Sequence, residues 1–245
     1  MLAFIGGTGL TRLPNLEIIE RKQVRSRYGE VRVVKGELAG KQVLFLARHG
    51  DPHVLLPHQV NYRANIMALK EAGATSVVAV NAVGGIGAEA AAGVLVLPDQ
   101  IIDYTNGRDT TFFDDLDAPL VHVDFTEPFD KNLRAQLRQA LKQSALDWVD
   151  GGCYGVTQGP RLETAAEIAR MERDGCTIVG MTAMPEAVLA RELALPYAML
   201  SLVVNPAAGK AEGEITIEEI ERVIHEGMGQ VCEFLAGFAS DFNVA

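Results

Sequence analysis

The sequence predicts an α/β fold, in which a single domain spanning residues 1–245 is built on a central mixed, largely parallel β-sheet flanked by helices. Short apolar segments rich in β-branched residues alternate with longer segments of helical periodicity, a pattern typical of this fold class. No internal repeat and no Pro-, Gly- or Ser-rich linker divides the chain. Its 48% apolar and 22% charged residues are the composition of an ordinary globular protein that buries a sizeable core.

Four apolar segments have the length and composition of strands buried on both faces, namely residues 2–5, 43–47, 77–80 and 198–204. Residues 31–38 precede a short turn at Gly40 and are expected to form a hairpin with residues 43–47. Helical periodicity covers about residues 59–72, 131–146, 162–173, 185–193 and 216–238. Pro185 suits the start of its helix, because proline lacks an N–H that the first turn leaves unpaired in any case.

The formal net charge of −10 argues against a protein that coats nucleic acid or an acidic membrane surface, since both need a basic footprint. No apolar segment is long enough to span a bilayer, and the amino-terminal residues lack the basic region of a signal peptide, so we expect a cytoplasmic protein. The three cysteines are widely spaced and match no metal-binding pattern, so we expect buried free thiols and no metal site. They are Cys153, Cys176 and Cys232.

Small and polar residues follow each predicted strand at its carboxyl end. In open α/β sheets the ligand lies beyond these ends, so the turns after the strands are expected to converge on one site. Together they offer backbone N–H groups, two hydroxyls, a guanidinium and an imidazole, a set that suits a compact oxyanion such as phosphate. The candidate anion-binding residues are Thr8, Arg48, His49, Asn81, Ala82 and Thr182.

Each signal has a simpler interpretation when it is taken alone. Gly6-Gly7-Thr8-Gly9 is similar to the start of a dinucleotide fingerprint, but the third glycine is missing and Pro14 interrupts the helix that should follow. A nicotinamide or flavin site is therefore disfavoured. Glu163, placed by the periodicity in the first turn of a helix, either stabilises the helix dipole or binds a ligand. Asn205 either initiates a turn before Pro206 or belongs to the site.

Six ordered motifs resemble the trimeric purine nucleoside phosphorylase and methylthioadenosine phosphorylase family over nearly the whole chain. They are Ile5-Gly6-Gly7-Thr8-Gly9-Leu10, Arg48-His49-Gly50, Val60-Asn61-Tyr62-Arg63-Ala64-Asn65, Asn81-Ala82-Val83-Gly84, Gln158-Gly159-Pro160-Arg161 and Gly180-Met181-Thr182-Ala183-Met184-Pro185-Glu186. The resemblance implies the nucleoside phosphorylase fold, a homotrimer, and a purine nucleoside and phosphate as substrates. It implies no cofactor beyond that phosphate.

The resemblance also implies residue roles. The six candidate anion-binding residues would hold phosphate, with His49 a ligand rather than a general base, and Met181 would lie against the sugar. Asn205, with Pro206 and Ala207, would bind the purine. Asn205 is the candidate catalytic residue, because a donor aimed at the departing purine stabilises its negative charge.

Two features predict which nucleoside is used. Methylthioadenosine phosphorylases of this family carry two aspartates in this region. Here Asn205 and Ala207 stand in place of those aspartates. Asn205 can donate to a 6-oxo group, while Glu163 accepts from N1–H of a 6-oxopurine. The segment around Glu163 resembles that of 6-oxopurine enzymes, although Leu162 stands where they have an aromatic residue.

The second feature concerns the 5′ end of the sugar, where 6-oxopurine relatives usually present a histidine. Here Ile217 and Ile220 lie one helical turn apart and are expected to line an apolar pocket for a thiomethyl group. His225 lies about two turns further on and remains open as a contact to the 5′ position. His122 remains open, by analogy, as a contribution to the neighbouring subunit's site.

The sequence therefore predicts a phosphorylase of 5′-methylthio-6-oxopurine nucleosides. A general inosine and guanosine phosphorylase and a methylthioadenosine phosphorylase remain as alternatives. A purine-nucleoside sensor without catalytic activity is disfavoured, because a sensor has no need of the phosphate-binding set.

Overall fold

The computed structural model describes residues 1–115, 121–212 and 215–242. Its strands are β1 (Leu2–Gly6), β2 (Glu17–Ser26), β3 (Gly29–Leu38), β4 (Lys41–Ala47), β5 (Ser76–Gly85), β6 (Leu95–Leu97), β7 (Gln100–Asp103), β8 (Trp148–Asp150), β9 (Cys153–Val156), β10 (Cys176–Gly180) and β11 (Tyr197–Pro206). Its helices are α1 (Tyr62–Glu71), α2 (Lys131–Gln143), α3 (Ala165–Arg173), α4 (Ala183–Glu192) and α5 (Ile217–Asp241). A short 3₁₀ helix covers Pro57–Gln59.

All of these strands belong to one mixed sheet, which confirms the predicted fold class. The order β2-β3-β4-β1-β5 forms one side, and the sheet branches at β5. Strand β5 pairs in parallel with β1 over residues 76–79 and with β11 over most of its length, and Gly84 and Gly85 at its end also pair antiparallel with β10. From β10 the sheet continues to β9 and β7, and from β11 it continues to β6 and β8. The branch opens a crevice at the carboxyl ends of the central strands, where α/β proteins bind ligands.

Helices cover both faces of the sheet because each has one apolar stripe. In α2 this stripe is Leu133, Leu137 and Leu141, spaced four residues apart, and it packs in the same core as α5. Helices α1 and α4 pack in a second core on the sheet, which contains Ile66. Helix α3 closes a smaller apolar cluster over β10 through Ile168. The central strands are therefore buried on both sides, as their continuous apolar sequences predict.

Several predicted boundaries are wrong, for identifiable reasons. Residues 81–85 and 205–206 were expected to be turns, but β5 and β11 continue through them because each strand supplies the other's pairing partner, as in Asn205 with Gly84 and Pro206 with Gly85. Strand β2 was not predicted, because almost all of its residues are exposed and its sequence shows no apolar alternation. Helix α3 begins at Ala165 rather than at residue 162, because Thr164 and Glu167 form a capping box there.

The longest helix, α5, has 25 residues. Across the residues whose structure is described, none of the helices combines the length and the apolar character that crossing a membrane requires.

Candidate active site

The carboxyl ends of the central strands border one cavity of about 370 Å³. All six candidate anion-binding residues line it, so the predicted convergence of the turns is found in the structure. Six further candidate residues line the same cavity, namely Met181, Asn205, Ala207, Leu162, Glu163 and Ile220. The other two candidates, Pro206 and Ile217, do not border it.

Arg48, directly after β4, has a side chain with no solvent exposure. Its Nε donates to Glu186 Oε2 at 2.7 Å and its Nη2 to Glu186 Oε1 at 2.8 Å, while Nη1 donates to the carbonyl of Val80 at 3.0 Å. Burial alone would lower the pKa of Arg48, but the ion pair with Glu186 raises it above its ordinary value, so the guanidinium stays charged. Gly7 leaves room for this group, since a Cβ there would lie 2.7 Å from Nη1.

Glu186 is the residue that holds Arg48 in place, and the motif in the sequence gave it no role. It is fully buried in the first turn of α4, where the helix dipole also favours a carboxylate. Besides the two bonds from Arg48, it accepts a hydrogen bond from the hydroxyl of Tyr197 at 2.7 Å. The bidentate pair thus fixes the guanidinium in one orientation. One N–H of Nη1 and one N–H of Nη2 take no part in these contacts.

His49 is buried and its ring is fixed on two sides. Its Nδ1 lies 2.8 Å from the carbonyl of Leu55, and its ring stacks on that of His53 with centroids 4.4 Å apart. Burial and the neighbouring charge of Arg48 lower the pKa of His49 to about 4, so the imidazole is neutral at pH 7. A neutral ring that faces a carbonyl through Nδ1 carries its proton there, which leaves Nε2 as an acceptor.

Asn81 lies on β5 at the back of the cavity and is also buried. Its Nδ2 donates to the hydroxyl of Tyr154 at 2.8 Å and lies 3.4 Å from Thr182 Oγ1. Its Oδ1 accepts no hydrogen bond from the described residues. Buried acceptors are normally paired, so this oxygen is an exception in the part of the cavity bordered by Arg48, His49 and Thr182, which is called the anion end below.

Glu163, in the segment between β9 and α3, borders the same cavity and is half-buried. The expectation that it stands in the first turn of a helix is wrong, because α3 starts two residues later and Glu167 is the acidic residue of that turn. Glu163 instead accepts a hydrogen bond from the hydroxyl of Thr157 at 2.6 Å. Its carboxylate is therefore held by Thr157, directly after β9, and is not used as a helix cap.

Asn205 lies near the end of β11 and borders the cavity, with its Nδ2 donating to the carbonyl of Pro206 at 2.6 Å. The second N–H of the Asn205 amide takes no part in this hydrogen bond. Pro206 itself is exposed and does not border the cavity, so the structure does not bring it there with Asn205 and Ala207. The reason is strand alternation, which directs Asn205 and Pro206 to opposite sides, whereas Ala207 is buried against the cavity.

The remaining wall is apolar. Ile220 was predicted there and borders the cavity, together with Ile215 and Ile224. Ile217 does not border the cavity, because this residue is 60% exposed and begins α5 one turn before the helix reaches the cavity. Leu162 also borders the cavity and is 45% exposed.

Sequence reasoning missed other residues at this site. Val54 and Leu56, in the loop after β4, border the cavity although no motif marks them. Arg108 contacts the backbone behind the cavity and also belongs to no motif. His122 and His225 are exposed, and neither borders this chain's cavity. Within the described ranges, no group of three or more His, Cys, Asp and Glu side chains is placed to hold a metal ion.

The fold and the cavity together define a class of protein, an α/β protein whose central strand ends border a cavity with both charged and apolar walls. Residues 2–240 match the family model described as the Phosphorylase superfamily, and the chain belongs to this family. This match confirms the resemblance that the ordered motifs predicted.

Three relatives illustrate the similarity. The chain is 54% identical to a probable S-methyl-5′-thioinosine phosphorylase of Pseudomonas syringae pv. tomato, over 96% of each chain. It is 41% identical to a 6-oxopurine nucleoside phosphorylase of Pyrococcus furiosus, over 92% of this chain and 86% of the relative. Its fold matches methylthioadenosine phosphorylase from Schistosoma mansoni in complex with adenine, with a TM-score of 0.92 and 28% identity over 98% of this chain and 90% of that one.

Proposed function

We propose that this chain is an S-methyl-5′-thioinosine phosphorylase, which converts S-methyl-5′-thioinosine and phosphate to hypoxanthine and 5-methylthioribose 1-phosphate in purine salvage. One observation carries the proposal: a single cavity joins a buried anion end to Glu163 and Asn205 and to an isoleucine wall. The relatives of the same name, at 54% and 52% identity, support the same activity.

The anion end suits hydrogen phosphate. The charge of Arg48 and the hydroxyls of Thr8 and Thr182 favour its anionic oxygens. His49 Nε2, an acceptor when Nδ1 carries the ring proton, suits the one P–O–H group that hydrogen phosphate still carries. His49 thus serves as a ligand that receives a hydrogen bond, and its low pKa keeps it in that state at neutral pH.

The reaction exchanges one bond for another at C1′. The bond from C1′ to N9 of the purine breaks, C1′ gains oxocarbenium character, and a phosphate oxygen forms the new bond to C1′. Phosphate held beside C1′ both stabilises this positive charge and captures it. The electron pair of the broken bond leaves with the purine, where a hydrogen bond from Asn205 stabilises it. Hydrogen phosphate gives up its proton and the departing purine gains one, so hypoxanthine is released as a neutral molecule.

The base end selects a 6-oxopurine. Glu163 accepts from the N1–H that hypoxanthine carries and adenine lacks, while the Asn205 amide donates to O6 or N7. Met181 borders the same cavity, and we expect the sugar to lie against it. The isoleucine wall then receives the thiomethyl group, since a 5′-hydroxyl there would lose water without gaining a partner.

Two other activities are separated from this one by single features. The relative from Pyrococcus furiosus is a 6-oxopurine nucleoside phosphorylase, and a general activity of that kind needs a polar partner for the 5′-hydroxyl, where this cavity has Ile220 and Ile224. A methylthioadenosine phosphorylase would need an acceptor for the 6-amino group of adenine at the position of Asn205.

The test is a substrate panel of methylthioinosine, inosine, guanosine and methylthioadenosine, each with and without phosphate. Methylthioinosine should give the highest kcat/KM, and turnover should stop when phosphate is omitted. Turnover without phosphate would overturn the phosphorylase assignment. A higher kcat/KM for inosine or methylthioadenosine would transfer the assignment to the corresponding alternative.

We also propose that the protein is a cytoplasmic homotrimer without a cofactor beyond phosphate. The cavity mouth supports association, because the apolar side chains of Val54, Leu56 and Leu162 are 67%, 43% and 45% exposed around it. Light scattering at assay concentration should report three chains of 26.4 kDa each. A fully active monomer would contradict the trimer.

A further inference from the structure

Arg108 lies in the segment after β7 and is half-buried beside the strands that form the cavity, although it does not border the cavity itself. Its guanidinium donates to four main-chain carbonyls. Nη1 donates to Met181 O at 2.8 Å and to Met184 O at 2.6 Å, and Nη2 donates to Thr157 O at 3.2 Å and to Gln158 O at 3.0 Å. Nε donates to the side chain of Gln158 at 3.1 Å.

These carbonyls belong to two chain segments that leave different strands. Thr157 follows β9, and its hydroxyl holds Glu163 at the base end of the cavity. Met181 follows β10 and is next to Thr182 at the anion end. Arg108 therefore joins the backbone that presents the predicted purine acceptor to the backbone that presents the predicted sugar and phosphate contacts.

These contacts indicate that Arg108 does more than neutralise the charge of a carboxylate. Within residues 1–115, 121–212 and 215–242, Arg108 forms no ion pair with a carboxylate. By comparison, Arg63 pairs with the carboxylates of Asp109 and Asp114. A planar guanidinium holds several carbonyls at fixed angles, which an ammonium on a flexible stem does not.

We propose that Arg108 is a positioning residue of the active site: it fixes the distance between the Thr157–Gln158 backbone and the Met181–Met184 backbone, and so aligns the bound base with the bound phosphate. The inference rests on the proposed function, since it concerns the alignment of those two ligands. It requires that the loss of Arg108 impair the reaction of the two ligands much more than the binding of either alone.

The experiment compares Arg108→Ala and Arg108→Lys with a matched control. Arg134 also donates to main-chain carbonyls, at Pro98 and Leu97, but lies away from the cavity. Arg134 also pairs with Asp150 at 2.9 Å, so Arg134→Ala reports what the loss of a carbonyl-bound arginine, together with this ion pair, does to stability. The readouts are Tm, kcat and KM, and the Kd values of inorganic phosphate and of hypoxanthine, each measured alone by calorimetry.

Misalignment by about 1 Å costs on the order of 100-fold in rate, so Arg108→Ala should lower kcat about 100-fold. Both Kd values should stay within about threefold of wild type, since each half-site keeps its own side chains. Arg108→Lys keeps the charge with fewer aligned donors and should lower kcat about tenfold, which keeps the test available if the alanine variant fails to fold. Arg134→Ala should lower Tm and leave kcat within about twofold.

Two results would overturn the proposal. One is a kcat of Arg108→Lys and Arg108→Ala equal to wild type. The other is a Kd for phosphate or hypoxanthine that rises as much as kcat falls, which indicates simple loss of a binding site. Failure of the proposed function is separate, because it shows as a wild-type protein that turns over no nucleoside of the panel, and it would remove both inferences together.

Discussion

The two ends of the cavity are built differently. At the anion end, Arg48, His49, Asn81 and Thr182 are 1%, 5%, 3% and 6% exposed, and bonds within the core fix their side chains. At the end that is proposed to bind the nucleoside, Leu162 is 45% exposed, and Glu163 and Asn205 are half-buried. Glu163 accepts one hydrogen bond, from Thr157, and Asn205 donates one, to Pro206. The first end is part of the core, and the second is part of the rim.

This difference separates what the fold holds constant from what it allows to vary. Donors fixed inside a core need no reorganisation when the anion binds, which is the condition for strong electrostatic stabilisation. Changing them costs stability, because a buried charge would lose its partner. Rim residues carry no such penalty. Relatives at 54% and 41% identity are accordingly named for different nucleosides although both are phosphorylases.

The largest expected effect tests the rim. Wild type should prefer methylthioinosine over methylthioadenosine by up to about 10⁴-fold in kcat/KM, because adenine would place a bare N1 lone pair against the Glu163 carboxylate. Asn205→Asp should lower kcat/KM for methylthioinosine and narrow this ratio, since aspartate accepts from a 6-amino group. Steady-state kinetics of both nucleosides with both proteins provide the measurement.

Glu167→Gln is the matched control for a change of Glu163→Gln. Glu167 lies four residues further on, caps α3 and pairs with Arg161, and does not border the cavity. Only the change at Glu163 should alter the base preference. A wild type that already prefers methylthioadenosine would contradict this assignment of the base end.

The next effect tests the core end. Arg48→Ala should raise the phosphate KM on the order of 100-fold, because a charge-assisted contact is lost. It should also destabilise the protein by about 3–5 kcal/mol, because Glu186 is left as an unpaired buried charge. These two consequences can be separated by the double variant Arg48→Met with Glu186→Gln, in which the glutamine still accepts from Tyr197.

The double variant should recover most of the stability and none of the phosphate affinity, since neutral side chains often replace a buried ion pair without loss. Urea unfolding and phosphate saturation curves measure the two quantities. A phosphate KM equal to wild type in the folded double variant would show that Arg48 serves the fold alone.

The sequence predicted the core end well for a physical reason. Thr8, Arg48 and His49 stand directly after apolar strands, and the rule that such ends converge does not depend on side-chain detail. The partner of Arg48 could not be derived in this way, because Glu186 is 138 residues away and only the packing of α4 brings the two together. Arg108 was missed for a related reason. Its partners are main-chain carbonyls, which every residue has, so the sequence does not indicate them.

The rim was predicted less accurately because it depends on where elements begin and end. Ile217 was assigned to the cavity from its spacing to Ile220, but spacing does not show where α5 meets the cavity. Pro206 was assigned with its neighbours on the assumption of a turn, and the continuing strand directs it outward. Glu163 was placed in a helix that starts two residues later. Element boundaries depend on caps and pairing partners, which local periodicity does not determine.

A smaller effect tests the apolar wall. Methylthioinosine should be preferred over inosine by about 10–200-fold in kcat/KM, the range that one methyl-sized group in an apolar pocket supplies. Ile220→Thr should reduce this preference, because a hydroxyl in the wall offers the 5′-hydroxyl a partner. Ile217→Thr makes the same chemical change on the same helix outside the cavity and should leave the preference unchanged. Equal effects of the two variants would place the 5′ pocket elsewhere.

The smallest expected effect is a gradual change of stability with pH that depends on His49. It tests whether the core end of the cavity is as closed to solvent as its burial indicates. Burial lowers the pKa of the folded ring to about 4, whereas the ring in the unfolded chain has its ordinary value of 6.5. Between these values the unfolded chain binds a proton that the folded chain does not, so the free energy of unfolding should fall as the pH decreases from 6.5 to 4. After allowance for the ring's remaining solvent contact, the His49 contribution is on the order of 2 kcal/mol. His49→Gln removes this titration, so the variant should lose less stability than wild type between pH 6.5 and 4. Urea unfolding at a fixed protein concentration without phosphate measures the difference.

His53→Gln is the control. Burial lowers the pKa of the His53 ring as well, but this ring is more exposed, so the substitution should change the pH dependence of stability less. If wild type and His49→Gln show the same dependence on pH, the imidazole reaches solvent in the folded protein, and the contrast between a closed anion end and an open rim is wrong at this residue.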